Sequence, residues 1–140
     1  MPSAFRATLA LLGTAALVAG CGGDSPDPVT DRDATLRLRL DEYRIAPGAI
    51  KVRAGRVRIL ARNRGKLTHN VKVEEATEEE GATPIVFGGT ATMQPGEAAP
   101  GRTVRLLPGR YRLVCTIGNH ENLGQYAELE VTRAGPVDDR

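Results

Sequence analysis

The sequence contains few of the residues that build reactive centres. Its 140 residues include only two cysteines and two histidines, His69 and His120. The formal net charge is +2, so no excess of one sign indicates nucleic-acid binding. After residue 34 there is no internal repeat and no capped segment with a helical period. The length suits one domain rather than two, and the missing helical pattern favours an all-β chain.

The first twenty residues predict the signal peptide of a bacterial lipoprotein. Met1–Arg6 is basic, and Ala7–Ala19 is apolar but too short to cross a bilayer. The stretch Val18-Ala19-Gly20-Cys21 resembles a lipobox, in which the signal is cut before the cysteine and the cysteine receives lipid. We therefore expect an extracytoplasmic protein, periplasmic or at the cell surface, that is anchored to the bacterial membrane through Cys21. An ordinary signal peptide with an incidental Cys21 is the alternative.

Four segments are expected along the chain. Residues 1–20 form the signal, and residues 21–34, which are small, polar and contain proline, form a flexible tether. Residues 35–133 form a single domain, and residues 134–140 form a disordered tail. The sequence predicts no second domain.

Apolar and polar residues alternate in short runs throughout the domain. The first run places Leu36, Leu38 and Leu40 around Arg37 and Arg39, and such a period of two is typical of a strand with one buried face. Further runs contain Ile50 and Val52; Val57, Ile59 and Ala61; Val71 and Val73; Val104 and Leu106; Tyr111, Leu113 and Cys115; and Ala127, Leu129 and Val131. Turn residues separate the runs, so we expect a Greek-key β-sandwich or barrel.

The charges are unevenly distributed. The segment from Arg37 to Lys66 is rich in arginine, whereas the segment from Glu74 to Glu80 is acidic. Arginines at alternating strand positions are most simply solvated residues on an outer face. A docking patch for a charged partner is the secondary interpretation.

Cys115 is a cysteine without an evident disulfide partner. If Cys21 carries lipid, Cys115 is the only remaining cysteine and no intramolecular disulfide can form. A lone thiol is unusual in an exported protein, because that compartment favours oxidation. A bound metal ion would protect it.

Three possible metal donors recur at steps of five residues. Cys115, His120 and Gln125 lie on one short segment, and His69 lies far upstream. Strand parity places Cys115 with Leu113, and His69 with Val71, on apolar faces, so both donors should point inward. A His₂Cys set with a weak axial oxygen is an arrangement of electron-transfer copper sites. Taken singly, each histidine could be structural and Cys115 could be a small core residue.

The same residues resemble those of the cupredoxins, the small type 1 copper proteins. The ligand loop of that family runs from Cys to His to an axial residue, as Cys115–Gln125 does, and its first histidine is followed by asparagine, as in His69-Asn70. The run Tyr43–Pro47 is similar to the N-terminal sheet of bacterial members. The resemblance covers nearly all of residues 35–133.

This resemblance implies a site and a function. His69, Cys115 and His120 would hold one copper ion, with Gln125 as the axial ligand where most members have methionine. Asn70 would hydrogen-bond across to the ligand loop near Thr116. The protein would be a monomer, not an enzyme, that passes single electrons between redox partner proteins at the membrane surface by cycling between Cu(I) and Cu(II).

Other functions remain open at this stage. Cys-His₂ with one oxygen could hold zinc, although zinc-type CxxC or HxxxH clusters are missing. A Cys–His pair could serve a hydrolase, but no oxyanion loop is evident. Copper storage, delivery or tolerance, and a metal-free interaction module, are the further alternatives.

Overall fold

The computed structural model of the chain describes residues 29–31, 34–79 and 81–133. These residues form ten strands and no helix. The strands are β1 (Val29–Asp31), β2 (Thr35–Asp41), β3 (Arg44–Ala46), β4 (Ala49–Arg53), β5 (Gly55–Asn63), β6 (Lys72–Glu75), β7 (Val86–Gly89), β8 (Arg102–Leu106), β9 (Gly109–Val114) and β10 (Tyr126–Thr132). In this part of the chain there is thus no helix long and apolar enough to cross a membrane.

The ten strands form two sheets. One has six strands in the order β1-β4-β10-β9-β6-β7, and the other has four in the order β3-β2-β5-β8. Strand β4 pairs in parallel with both β1 and β10, and β2 pairs in parallel with β5. The remaining pairs are antiparallel. The predicted all-β sandwich is confirmed.

The alternating runs bury their apolar side between the sheets. On β2, Leu36, Leu38 and Leu40 are at most 3% exposed, whereas Arg37 and Arg39 point to solvent. Inward-facing apolar side chains of the other strands pack with these leucines in one hydrophobic cluster, which includes Ile59, Val73, Leu106, Leu113 and Leu129. Burial of this cluster is the main favourable term in folding.

Three short strands do not follow from the sequence pattern. β1 lies inside the predicted tether and pairs with β4, but three residues are too few to show a period. β3 buries only Ile45, and β7 combines exposed Val86 and Phe87 with two glycines. The predicted signal, the Cys21 lipidation site and the tail 134–140 lie outside the described residues.

Three connections meet at one end of the sandwich. They are the turn between β2 and β3, the segment from β5 to β6, and residues 115–125 between β9 and β10. β2 and β5 run in parallel toward this end, so the chain enters β2 at Thr35, at the opposite end. The four predicted donors are divided between two of these connections: His69 lies between β5 and β6, and the other three lie between β9 and β10.

Candidate metal centre

The backbone of His69 is held by a two-way pairing with Met93. His69 N donates to Met93 O at 3.1 Å, and Met93 N donates to His69 O at 2.8 Å. The fully buried Asn63 donates from Nδ2 to Met93 O and to Leu67 O. Because both neighbouring segments are tied to Asn63, the position of His69 is fixed before any metal binds.

The ligand loop, residues 115–125, is closed by its own backbone. Cys115 N donates to Gln125 O at 3.1 Å, and Gln125 N donates to His120 O at 3.0 Å. Gly118 and Gly124 have φ values of +52° and +106°, which favour glycine. These turns bring the side chains of Cys115 and His120 together, with 3.7 Å between Sγ and Nδ1.

His69, Cys115 and His120 converge on one buried point. Their exposed fractions are 0%, 1% and 9%, and their ligand atoms all lie within 4.8 Å of one another. Cys115 Sγ is 3.8 Å from His69 Nδ1 and 3.7 Å from His120 Nδ1. The structure therefore brings the three predicted donors into a cluster that is able to hold a metal ion.

The separations suit a shared metal ion. Bonds of about 2.05 Å to nitrogen and about 2.3 Å to sulfur place the two donors about 3.6 to 3.8 Å apart at angles between the tetrahedral value and about 120°. The two sulfur–nitrogen distances of 3.8 and 3.7 Å agree with this range. One thiolate with two imidazoles is a donor set of electron-transfer copper sites.

The ring of His69 is oriented by Glu42, which the sequence analysis did not single out. His69 Nε2 lies 2.9 Å from Glu42 Oε1, so the protonated Nε2 donates and Nδ1 keeps its lone pair for a metal. The same oxygen accepts the backbone N–H groups of Lys66 and Leu67, each at 2.8 Å. Hydrogen bonds from Leu67, His69 and Lys66 lower the pKa of Glu42 to about 2. Its carboxylate is thus ionised and ties two of the three connections together.

We expect the substitution Glu42→Ala to lower the affinity for Cu(II) about 10- to 100-fold, the usual cost of losing the partner of a ligating histidine. The His69 ring would lose its orienting acceptor. Competition with a chelator measures the affinity.

The neighbouring carboxylate gives a matched control for this change. Asp41 pairs with Arg44 on the surface, so Asp41→Asn should leave the Cu(II) affinity unchanged. Glu42→Gln should keep part of the affinity, because an amide oxygen still accepts a hydrogen bond. Equal affinity in the wild type and Glu42→Ala would show that the contact does not orient His69.

Gln125, the last residue of the ligand loop, has one buried side-chain atom without a hydrogen-bond partner among the described residues. Its side chain is fully buried, and Nε2 donates to Asp41 O at 2.9 Å. A backbone carbonyl can only accept, so this bond fixes which end of the amide is nitrogen. Oε1 is buried without any hydrogen-bond partner among the described residues. A bound cation would satisfy such an orphaned oxygen, so the donor set fits a metal ion.

Asn70 joins the ligand loop to the segment that carries His69. Thr116 N donates to Asn70 Oδ1 at 2.8 Å, and Asn70 Nδ2 donates to Thr116 Oγ1 at 2.9 Å. Asn70 is 5% exposed, so water does not replace these bonds readily. The contact predicted between the two residues is present.

We expect Asn70→Ala to lower the free energy of unfolding of the metal-free domain by about 1–3 kcal/mol, because Thr116 N loses its buried acceptor. Thr116→Ala keeps that backbone bond and should cost only about 0.5–1.5 kcal/mol. Urea titrations of both variants measure the difference. A larger loss in Thr116→Ala would contradict the assignment of the main bond to Asn70 Oδ1.

His120 is the member of the cluster nearest the surface. It is 9% exposed, whereas His69 is fully buried. The Tyr43 ring packs on its edge with 5.0 Å between ring centroids, and Leu123 of the same loop is 49% exposed. Among these three donors, His120 thus offers the shortest route between the cluster and solvent.

The chain has the cupredoxin fold. It matches auracyanin from Roseiflexus castenholzii with a TM-score of 0.62 and 17% identity, over 75% of this chain and 100% of the other. Auracyanin A from Chloroflexus aurantiacus, described as a "blue" copper protein, gives a TM-score of 0.59 and 17% identity, over 70% and 98%. Rusticyanin from Thiobacillus ferrooxidans gives 0.56 and 18%, over 77% and 84%. No protein-family model and no curated protein sequence matches the chain.

The structural matches extend the sequence resemblance to the fold. The cupredoxin sandwich that the resemblance implied is the fold observed. Cys115 is a free, buried thiol, as its strand parity predicted. Glu42 was missed because its partners lie 24 to 27 residues further along the chain and leave no local pattern.

Proposed function

We propose that this chain is an extracytoplasmic, lipid-anchored copper protein that transfers single electrons. The observation that carries the proposal is the buried cluster of one thiol and two imidazoles. The fold it shares with solved auracyanins and rusticyanin supports the same function. Lipidation of Cys21 and removal of residues 1–20 are the part of the proposal that rests on the sequence alone.

Each side chain of the site has a distinct role in the proposed function. Cys115 supplies a soft thiolate, and Nδ1 of His69 and of His120 supply imidazole nitrogens, donors that suit both copper oxidation states. Bound copper supplies one-electron chemistry. Gln125 Oε1, which is buried without a hydrogen-bond partner among the described residues, would supply a weak oxygen donor, and Glu42 holds the His69 ring in place.

Rigidity is what makes this donor set suitable for fast electron transfer. The three donors are placed by backbone pairing at His69, by the closed loop at Cys115 and His120, and by the cross-link between Asn70 and Thr116. A change of charge at the centre would therefore move few atoms. Electrons would enter and leave through the edge of His120, the least buried donor.

Adding Cu(II) to the purified domain, residues 29–133, tests the proposal. We expect one copper per chain, an intense visible band from thiolate-to-copper charge transfer, and reversible bleaching with one electron of reductant. Colourless binding, or oxidation of the thiol by Cu(II) without a stable coloured product, would contradict it. A cluster that binds Zn(II) tightly and gives no charge-transfer band with Cu(II) would favour structural zinc.

The rates of copper release and of electron self-exchange distinguish an electron carrier from a protein for copper storage or delivery. A storage protein releases copper readily to a small chelator, whereas burial of the three donors to 9% exposure or less opposes release. We expect slow copper loss and fast electron self-exchange. Fast loss with slow self-exchange would favour storage.

A further inference from the structure

The outer face of the four-stranded sheet carries an array of arginines. Strand alternation and register place six of them on this side, across β2, β5 and β8. We call this surface the basic face: Arg37, Arg39, Arg56, Arg58, Arg62 and Arg105, all exposed. At the outward positions of these strands, Leu60 is the one large apolar side chain.

Five of the six arginines of the basic face have no carboxylate partner within the part of the chain that the structure describes. No carboxylate there lies within 4.0 Å of Arg39, Arg56, Arg58, Arg62 or Arg105. Asp41, the acid at the end of β2, is paired with Arg44 at 3.0 Å. The carboxylate of Asp41 is therefore already used in an ion pair outside the basic face.

The register brings like charges directly opposite each other. Arg39 is paired with Arg62, and Arg56 with Arg105. Like charges in such cross-strand pairs destabilise a sheet. Folding alone therefore does not account for the array, and an anionic partner would offset the repulsion.

The other outer face of the sandwich is different. There, Lys51 pairs with Glu130 at 2.9 Å and Arg112 with Glu121 at 2.9 Å. Arg110 lies 3.7 Å from Glu78. Three basic residues of the six-stranded sheet thus have a carboxylate partner, whereas five arginines of the basic face have none among the described residues, so the two faces differ in their electrostatic properties.

The shape and composition of the basic face favour a phosphate-bearing surface over a protein. Protein interfaces have a core rich in aromatic and large apolar side chains, and Leu60 is the one large apolar side chain at the outward positions of these strands. Guanidinium groups bind phosphate through paired N–H donors. Arg37, Arg39 and Arg62 also line an open groove of about 380 Å³, together with apolar residues that include Pro47 and Leu60. The groove offers a lipid headgroup three guanidinium groups.

The position of the basic face relative to the metal centre also favours a lipid surface over a redox protein as its partner. β5 runs toward the metal end, so Arg62 lies near that end and Arg56 lies far from it. A redox protein that covered the whole face would be centred away from His120. A flat lipid surface would contact all the arginines and leave the metal end accessible from the side.

We propose that the basic face binds an anionic phospholipid surface through the phosphates of its headgroups, with the four-stranded sheet lying on the bilayer. The docking requires neither bound copper nor lipid on Cys21. If the chain is lipid-anchored, the same contact would set the orientation of the domain at the membrane.

Vesicle binding by the unlipidated domain, residues 29–133, tests the proposal. This part has its own hydrophobic core and matches an entire auracyanin chain, so it is a folding unit. The probes are vesicles of phosphatidylcholine with and without about one third phosphatidylglycerol, at low and high ionic strength. We expect binding only to the anionic vesicles at low ionic strength.

Matched variants locate the binding surface. The triple variant Arg39→Gln, Arg58→Gln, Arg62→Gln should weaken partition about 100-fold, about fivefold per arginine. The control Lys51→Gln, Arg53→Gln, Arg110→Gln removes the same charge from the other sheet and should retain most of the binding. Replacing the three arginines of the basic face by lysine keeps the charge but removes the paired N–H donors, so this variant should bind more strongly than the glutamine variant and more weakly than the wild type. Unfolding curves confirm that each variant is folded.

Two outcomes would overturn the proposal. An equal loss of binding in both glutamine variants would mean that net charge, not the basic face, attracts the vesicles. Failure to bind anionic vesicles would exclude a lipid partner, and binding to polyglutamate in that case would indicate an acidic protein instead. Because the assay needs no copper, its failure leaves the proposed electron-transfer function untouched.

Discussion

Replacing Cys115 by serine is expected to abolish the intense visible band of the copper-loaded domain and to lower its Cu(I) affinity more than 100-fold. Loss of a histidine's outer partner alone costs about 10- to 100-fold, and a direct ligand should cost more. Cys115 Sγ lies 3.8 Å from Nδ1 of His69 and 3.7 Å from Nδ1 of His120. A serine hydroxyl stays protonated at neutral pH and is a hard donor that suits Cu(I) poorly. Absorption spectra and competition with a Cu(I) chelator measure both losses.

Met93, whose backbone pairs with that of His69, provides the control for Cys115→Ser. Met93 is 1% exposed and pairs with His69 only through its backbone. Met93→Leu should therefore retain the visible band and most of the Cu(I) affinity. An intense band in copper-loaded Cys115→Ser would contradict thiolate ligation. Because serine is nearly isosteric, the metal-free variant should stay folded, and its unfolding curve checks this.

The long strands could be predicted because their residues alternate between apolar side chains that face the core and polar side chains that face solvent. Leu36, Leu38 and Leu40 are buried and the arginines between them are exposed, as a period of two requires. β3 and β7 could not be predicted, since Ile45 is the only buried residue of β3 and two residues of β7 are glycines. Short strands form because neighbouring strands offer free edges, and that information lies elsewhere in the chain.

The donors could be predicted for a different reason, which is the scarcity of their residue types. With two histidines and one cysteine in residues 35–133, only one combination of His69, Cys115 and His120 exists. Glu42 is one of 17 acidic residues, and nothing local separates it from the others. Its role depends on a hydrogen bond that spans 27 positions and is visible only once the chain is folded.

Substitution of Gln125 by methionine is expected to raise the reduction potential of the copper-loaded domain. The amide oxygen is a harder donor than a thioether, so Gln125 Oε1 should stabilise Cu(II) relative to Cu(I). Nε2 is anchored on Asp41 O at 2.9 Å, which leaves Oε1 as the buried atom without a partner. A tenfold change in the preference for Cu(I) corresponds to about 59 mV, and we expect a rise of at least this size. A spectroscopic redox titration measures it.

The variant Gln125→Leu separates axial ligation from the loss of polarity. Leucine removes the oxygen and supplies no new donor, so the potential should rise in this variant as well if Oε1 ligates Cu(II). Both substitutions leave Asp41 O without its donor, at a cost of about 1–3 kcal/mol that appears in the unfolding of the metal-free domain. Since that cost is shared by the two copper states, it does not shift the potential. An unchanged or lower potential in Gln125→Met would mean that Oε1 does not tune the copper.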